Sequence, residues 1–141
     1  MTGRRPAPGH VAADLPPHVS RLPEQEEKKS VIKFVFMINR IDGMTFEEFV
    51  DHHRNRHAPL FTSIPEAHQY VKKYTVSHPV PAEGYPHPAY DGITEIWFDN
   101  WADHNAFFAS ANYKELVNPD ESTFIDMASV TAMVTEEKSI L

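Results

Sequence analysis

The chain has 141 residues, room for one domain and hardly for two. A hydrophobic fraction of 41% suits a folded core, whereas a net charge of −7 argues against a broad basic surface for nucleic acid or anionic lipid. The absence of cysteine excludes disulfides, thiol nucleophiles and cysteine-ligated metal sites.

No apolar run approaches the roughly 20 residues that span a bilayer, so no membrane partner is expected. No hydrophobic stretch follows Arg4 and Arg5, so the expected location is cytoplasmic. Residues 1–30 carry five prolines and a charged run from Glu24 to Lys29. Proline fixes φ and removes a donor, so this stretch is expected to be an extended, disordered tail ahead of a domain at 31–141.

From Val31 the texture changes. Ile32, Phe34, Phe36 and Ile38 fall on one face of a strand and Val35 and Met37 on the other, which indicates a central strand. Asp42-Gly43 supplies a turn, and Thr45 with Glu48 forms a capping box that opens a helix running to about Ser63, with Pro65 beyond its end. Tyr70 to His78 alternates as a second strand, with Tyr70 and Tyr74 on one side. Pro79 to Tyr90 reads as a proline-rich loop and Gly92 to Phe98 as a third strand.

Asn100 or Asp99 caps a second helix holding Trp101, Phe107 and Phe108. That helix is expected to break near Ser110, resume to Val117 and stop at Asn118-Pro119. A turn from Glu121 to Asp126 leads into a fourth strand, Ala128 to Val134. The order is βαββαβ, the split arrangement of an α+β, ferredoxin-like fold.

The most informative feature lies on the first helix. At 3.6 residues per turn its inward face collects Phe46, Phe49, Val50, His53, His57, Leu60 and Phe61, while Asp51, His52, Arg54, Asn55 and Arg56 project elsewhere. Two histidines one turn apart in an apolar stripe admit three readings. They are hydrogen-bonded core residues, a metal pair, or an acid–base site tuned by burial. The segment H-H-R-N-R-H lacks the glutamate of the HExxH pattern and carries two arginines, which disfavours a metal.

Other groups within reach of such a site are Glu95, flanked by apolar strand residues, and Tyr70 and Tyr74. Asp126 either forms a turn or orients a histidine. Phe34, Phe36, Trp97, Trp101, Phe107 and Phe108 are mostly core; if some line a pocket, its ligand is flat and aromatic.

Arg40-Ile-Asp-Gly-Met-Thr-Phe-Glu-Glu-Phe49, followed by His53 and His57-Ala-Pro-Leu60, resembles the first half of an EthD domain. Tyr90-Asp-Gly-Ile-Thr-Glu-Ile-Trp-Phe-Asp99 resembles the second half, and Asp120 with Phe124-Ile-Asp126 its closing segment. The resemblance covers roughly residues 31–137 and departs at His53, where many members carry tryptophan. It implies a homodimeric α+β barrel with a ligand cavity in each subunit.

The look is that of EthD-domain dehydratases and decarboxylases of fungal aromatic polyketide pathways. The expected function is therefore a cofactor-independent lyase that removes water from a hydroxylated polyketide and aromatises a ring. Decarboxylation, cofactor-free oxygenation and a non-catalytic accessory role to an oxygenase are the alternatives. The expected acid–base groups are His57, His53, Asp126 and Glu95, with Tyr74, Tyr70, Phe34, Phe36 and Trp97 contacting substrate.

Overall fold

A computed structural model describes residues 31–141; the expected tail over 1–30 lies outside the described residues. Four strands, β1 (Ile32–Ile38), β2 (Lys73–Ser77), β3 (Gly92–Phe98) and β4 (Thr131–Glu136), form an antiparallel sheet in the order β2-β3-β1-β4. Between β1 and β2 come α1 (Phe46–His52), a π-helical turn (His53–His57), α2 (Ala58–Ser63) and α3 (Pro65–Tyr70). Between β3 and β4 come α4 (Trp101–Ala109), a second π-helical turn (Tyr113–Val117) and α5 (Asn118–Glu121). A short 3₁₀ turn over Met127–Ser129 precedes β4. This is the ferredoxin-like α+β order.

The strand register explains the core. Phe34 pairs with Ile96, and Ile96 with Tyr74, so even-numbered residues of these strands share the face that the helices cover. Ile32, Ile96 and Phe98 pack there against Phe61, Ile64, Phe107 and Val117, all buried. A second cluster of Ile38, Phe49, Phe124 and Ile125 closes one end. The odd-numbered residues Val35, Glu95 and Trp97 lie on the opposite face.

Several boundaries differ from the sequence expectation. Ile64 is extended (φ −86°, ψ 141°), as a residue before proline prefers, and Pro65 then starts α3 rather than a loop. Tyr70 ends that helix and packs on the core, so it does not share a strand face with Tyr74. Trp101, at the start of α4, is 52% exposed rather than core. Asn100, not Asp99, is the cap, accepting from the Asp103 amide at 2.8 Å.

Prolines also account for the π turns. In an α-helix a proline ring collides with the carbonyl four residues earlier and cannot donate to it. Pro59 stands just after the turn ending at His57, and Pro119 just after the one ending at Val117. In each the chain widens instead of stopping. The Ala58 amide reaches His53 O and the Asn118 amide reaches Tyr113 O, both five residues back. Asn118-Pro119 thus continues into α5 and does not terminate the helix.

The capping box is present in full: the Glu48 amide donates to Thr45 Oγ1 at 3.0 Å, and the Thr45 amide to Glu48 Oε1 at 2.8 Å. Thr45→Ala should lower unfolding free energy by about 1 kcal/mol, read from urea titration, with the fold unchanged.

Candidate active site

Between the helices and the sheet lies a cavity that, with its mouth, holds about 550 Å³ free of protein atoms. Its walls are largely aromatic. Phe34 and Phe36 stack with centroids 5.5 Å apart, Phe108 lies 5.3 Å from Phe34, and Phe61 and Phe124 complete the lining. The polar groups that face it are His53, His57, Tyr74, Thr94, Tyr113 and Glu121.

His57 is buried, and its Nδ1 donates to Asp120 Oδ2 at 2.9 Å. The same oxygen accepts from His52 Nε2 at 2.9 Å, and the His52 ring stacks on Phe124 with centroids 4.5 Å apart. His52 stays off the cavity wall, as expected, but from outside it bonds the same carboxylate, a partner that α5 supplies. Burial pushes the His57 pKa down and Asp120 pulls it part of the way back, leaving it below the ordinary imidazole value. Burial alone would raise Asp120, but the hydrogen bonds and charges of His52 and His57 outweigh it and hold the carboxyl low. The result is a neutral imidazole with its proton on Nδ1. Among the described residues none bonds its Nε2, which is left as a basic lone pair.

His53 is built differently. It is fully buried, with Nδ1 2.9 Å from His78 Nε2 and Nε2 3.0 Å from Thr94 Oγ1. His78 Nδ1 is buried without a partner among the described residues. A bare lone pair there costs less than an orphaned N–H, so the proton order that fits is His78 Nε2–H to His53 Nδ1, then His53 Nε2–H to Thr94. Burial foremost, then the nearby His78, His57, His52 and Arg54, depresses the His53 pKa to about 3. Both its nitrogens are engaged, so it orients Thr94.

The expected site residues divide. His57, His53, Tyr74, Phe34 and Phe36 line the cavity. Glu95 does not: it lies on the opposite sheet face, 3.0 Å from Lys33 Nζ. Trp97 shares that face, donates to Glu137 Oε1 at 2.8 Å, and has Lys33 and Lys73 over its ring. Asp126 is exposed and caps the 3₁₀ turn by accepting from the Ala128 amide. Tyr70 belongs to α3 and is not in the lining. Sequence reading missed Asp120, Glu121, Tyr113 and Thr94 as site residues; the available signal was the acidic pair just after Pro119, which opens a new helical turn. Among the described residues no group of three or more His, Cys, Asp or Glu is placed to hold a metal ion.

Residues 41–128, more than half of the chain, match the EthD domain. The chain belongs to the EthD domain family. No curated protein sequence matches it. Solved structures similar to it include an ethyl tert-butyl ether d (ethd) family protein from Bacillus halodurans, with TM-score 0.61 and 19% identity over 77% of this chain and 99% of that one. A dimeric protein of unknown function and ferredoxin-like fold from Bacteroides fragilis gives TM-score 0.57 and 13% identity over 76% of this chain and 96% of that one. A hydroxynitrile lyase from Passiflora edulis gives TM-score 0.59 and 12% identity over 79% of this chain and 96% of that one. At these identities the likeness is one of fold. Among the described residues no helix is long and apolar enough to cross a membrane.

The buried histidines set an acid limit on stability. Folded His53 resists protonation until about pH 3, whereas the unfolded residue titrates near 6.5, and His57 and His78 are displaced the same way. The His53 contribution is full above pH 6.5 and is lost as pH falls from 6.5 towards 3, and those of His57 and His78 are also lost on the acid side. Glu121, raised from 4.5 to about 7, works oppositely, its contribution fading as pH rises through that range. The expected outcome is that His53→Gln flattens the acid-side fall of the urea midpoint by roughly one proton's slope.

Proposed function

We propose that this EthD-family protein is a cofactor-independent lyase that dehydrates a flat, hydroxylated polyketide-type substrate and so aromatises a ring. The observation that carries this reading is the 2.9 Å bond from His57 Nδ1 to Asp120 in an aromatic-lined cavity. It leaves Nε2 as a base whose tautomer is held by a carboxylate.

In the reaction, Nε2 takes the proton from a carbon beside a carbonyl. The electrons of that C–H bond form the new C=C bond as the neighbouring C–O bond breaks. The departing hydroxide takes the proton back from the imidazolium and leaves as water, so the histidine ends as it began. Aromatisation supplies the driving force, and the protein contributes positioning and proton transfer. Phe34, Phe36 and Phe108 offer faces against which a fused ring can lie. The Passiflora hydroxynitrile lyase supports the reading to the extent that this fold hosts a lyase in that protein.

The proposal includes a homodimer. Among the described residues no helix covers the odd-numbered sheet face, which presents Val35, Met37 and Ile93, with Met133 48% exposed on β4. The Bacteroides protein of the same fold is dimeric.

His57→Gln, folded by circular dichroism, should lower kcat by about 10²–10⁴-fold, with Asp120→Asn losing less. Wild-type turnover in folded His57→Gln sinks the assignment, and mass spectrometry should show a product lighter by one water. Met133→Lys should shift the protein from dimer to monomer by light scattering; an unchanged mass would refute this dimer face.

A further inference from the structure

The cavity holds a second polar group that the proton shuttle does not use. Tyr74, from β2, faces the cavity, and its hydroxyl is buried without a partner among the described residues. The hydroxyl cannot swing away, because the ring stacks on Phe61 with centroids 3.9 Å apart and planes at 15°. Tyr113, from the second π turn, donates to Glu121 Oε2 at 2.9 Å, and its ring is held by Phe107 and Phe108 at 5.2 and 5.1 Å. Glu121 is only 9% exposed, has no cationic partner among its hydrogen bonds, and lines the same cavity. A buried donor without an acceptor and a buried carboxyl without a cation are both costly unless a ligand atom answers them.

We propose that Tyr74 and Glu121, the latter oriented by Tyr113, form a subsite for a neutral carbonyl oxygen of an aromatic ketone. The Tyr74 hydroxyl donates one hydrogen bond to that oxygen and the protonated Glu121 carboxyl donates a second, so both lone pairs are used. The inference rests on His57 as the base and deepens it. Two donors on a carbonyl draw electron density from the adjacent carbon, which makes the C–H bond that His57 breaks more acidic. Glu121 and Tyr74 are then catalytic residues and Tyr113 a positioning residue.

The protonation state fits. Burial raises Glu121 to about 7, with Asp120 adding to the rise and Tyr113 opposing it, so the neutral acid is well populated near neutrality. The titratable groups that share the cavity or adjoin Glu121 are Tyr74, Tyr113, His57, His53 and Asp120. Burial raises both tyrosines, His53 is lowered to about 3, His57 lies below the ordinary imidazole value, and Asp120 is held low. Arg54 lies beside Tyr74 in a shallow outer groove. Between about pH 6.5 and about pH 8.5, Glu121 is the group of this set that changes state.

The test uses 1-tetralone and its oxygen-free analogue tetralin, with affinity measured by calorimetry on the full chain. Tetralone should bind more tightly than tetralin near pH 6.5 and lose that advantage as pH rises through about 7, while tetralin stays flat. Tyr74→Phe should weaken tetralone about tenfold and leave tetralin unchanged. Glu121→Gln, whose amide donates at every pH, should keep tetralone affinity constant from about pH 6.5 to about pH 8.5. Equal affinity for the two probes, or a Tyr74→Phe protein that still prefers tetralone at full strength, overturns the subsite. His57→Gln should keep the tetralone preference. A folded His57→Gln enzyme with full turnover therefore refutes the base without touching the subsite, and loss of the oxygen preference does the reverse.

Discussion

One carboxylate oxygen, Asp120 Oδ2, receives hydrogen bonds from two imidazoles, those of His52 and His57, each at 2.9 Å. The rest of the site hangs on that junction. It ties the first helical stretch to the short α5 segment, which belongs to the other half of the fold, and it chooses the His57 tautomer. It also keeps an anion next to a buried base, because two imidazole N–H groups donate to it. Without the carboxylate, His57 would have no acceptor at Nδ1, and its basic lone pair would have no fixed direction.

His53 and His57 show how position alone separates two identical side chains. One turn apart on the same stripe, with ring centroids 6.4 Å apart, they share Phe124 as a neighbour. His53 has both nitrogens occupied, by His78 and Thr94, and its charge is suppressed by burial. His57 has one nitrogen bonded to an anion and the other without a partner among the described residues, in a side chain that lines the cavity. Saturation leaves the first no free ring nitrogen, whereas the second keeps one.

Much of this was legible before any coordinates. The capping box at Thr45, the inward stripe through His57, the apolar runs of β1 and β3, and the break at Ser110 are local signals, and each appears in the fold. What could not be read was what depends on distant partners. Glu95 looked like a carboxylate stranded among apolar residues, yet Lys33 from β1 answers it on the far sheet face, since face assignment needs the register. Asp126 and Asp120 are both aspartates near a helix end, and only the fold decides that Asp120 meets the histidines while Asp126 caps a turn. Tyr70 alternated correctly with Tyr74, but Pro65 had already opened a helix that swallows it.

The two π turns carry a consequence of their own. Each holds one more residue per turn than its flanks would, and the polar groups that face the cavity from the helical layer sit within or just after them: His53 and His57 in the first, Tyr113 and then Glu121 in the second. Arg54, Asn55 and Arg56 point to solvent, so their identity is nearly free. Their number is not. Each residue of a helix advances it by about 100°, so a single deletion would return the segment to ordinary winding and rotate one histidine off the cavity. These stretches are constrained by length rather than by composition, tolerant of substitution and intolerant of insertion or loss.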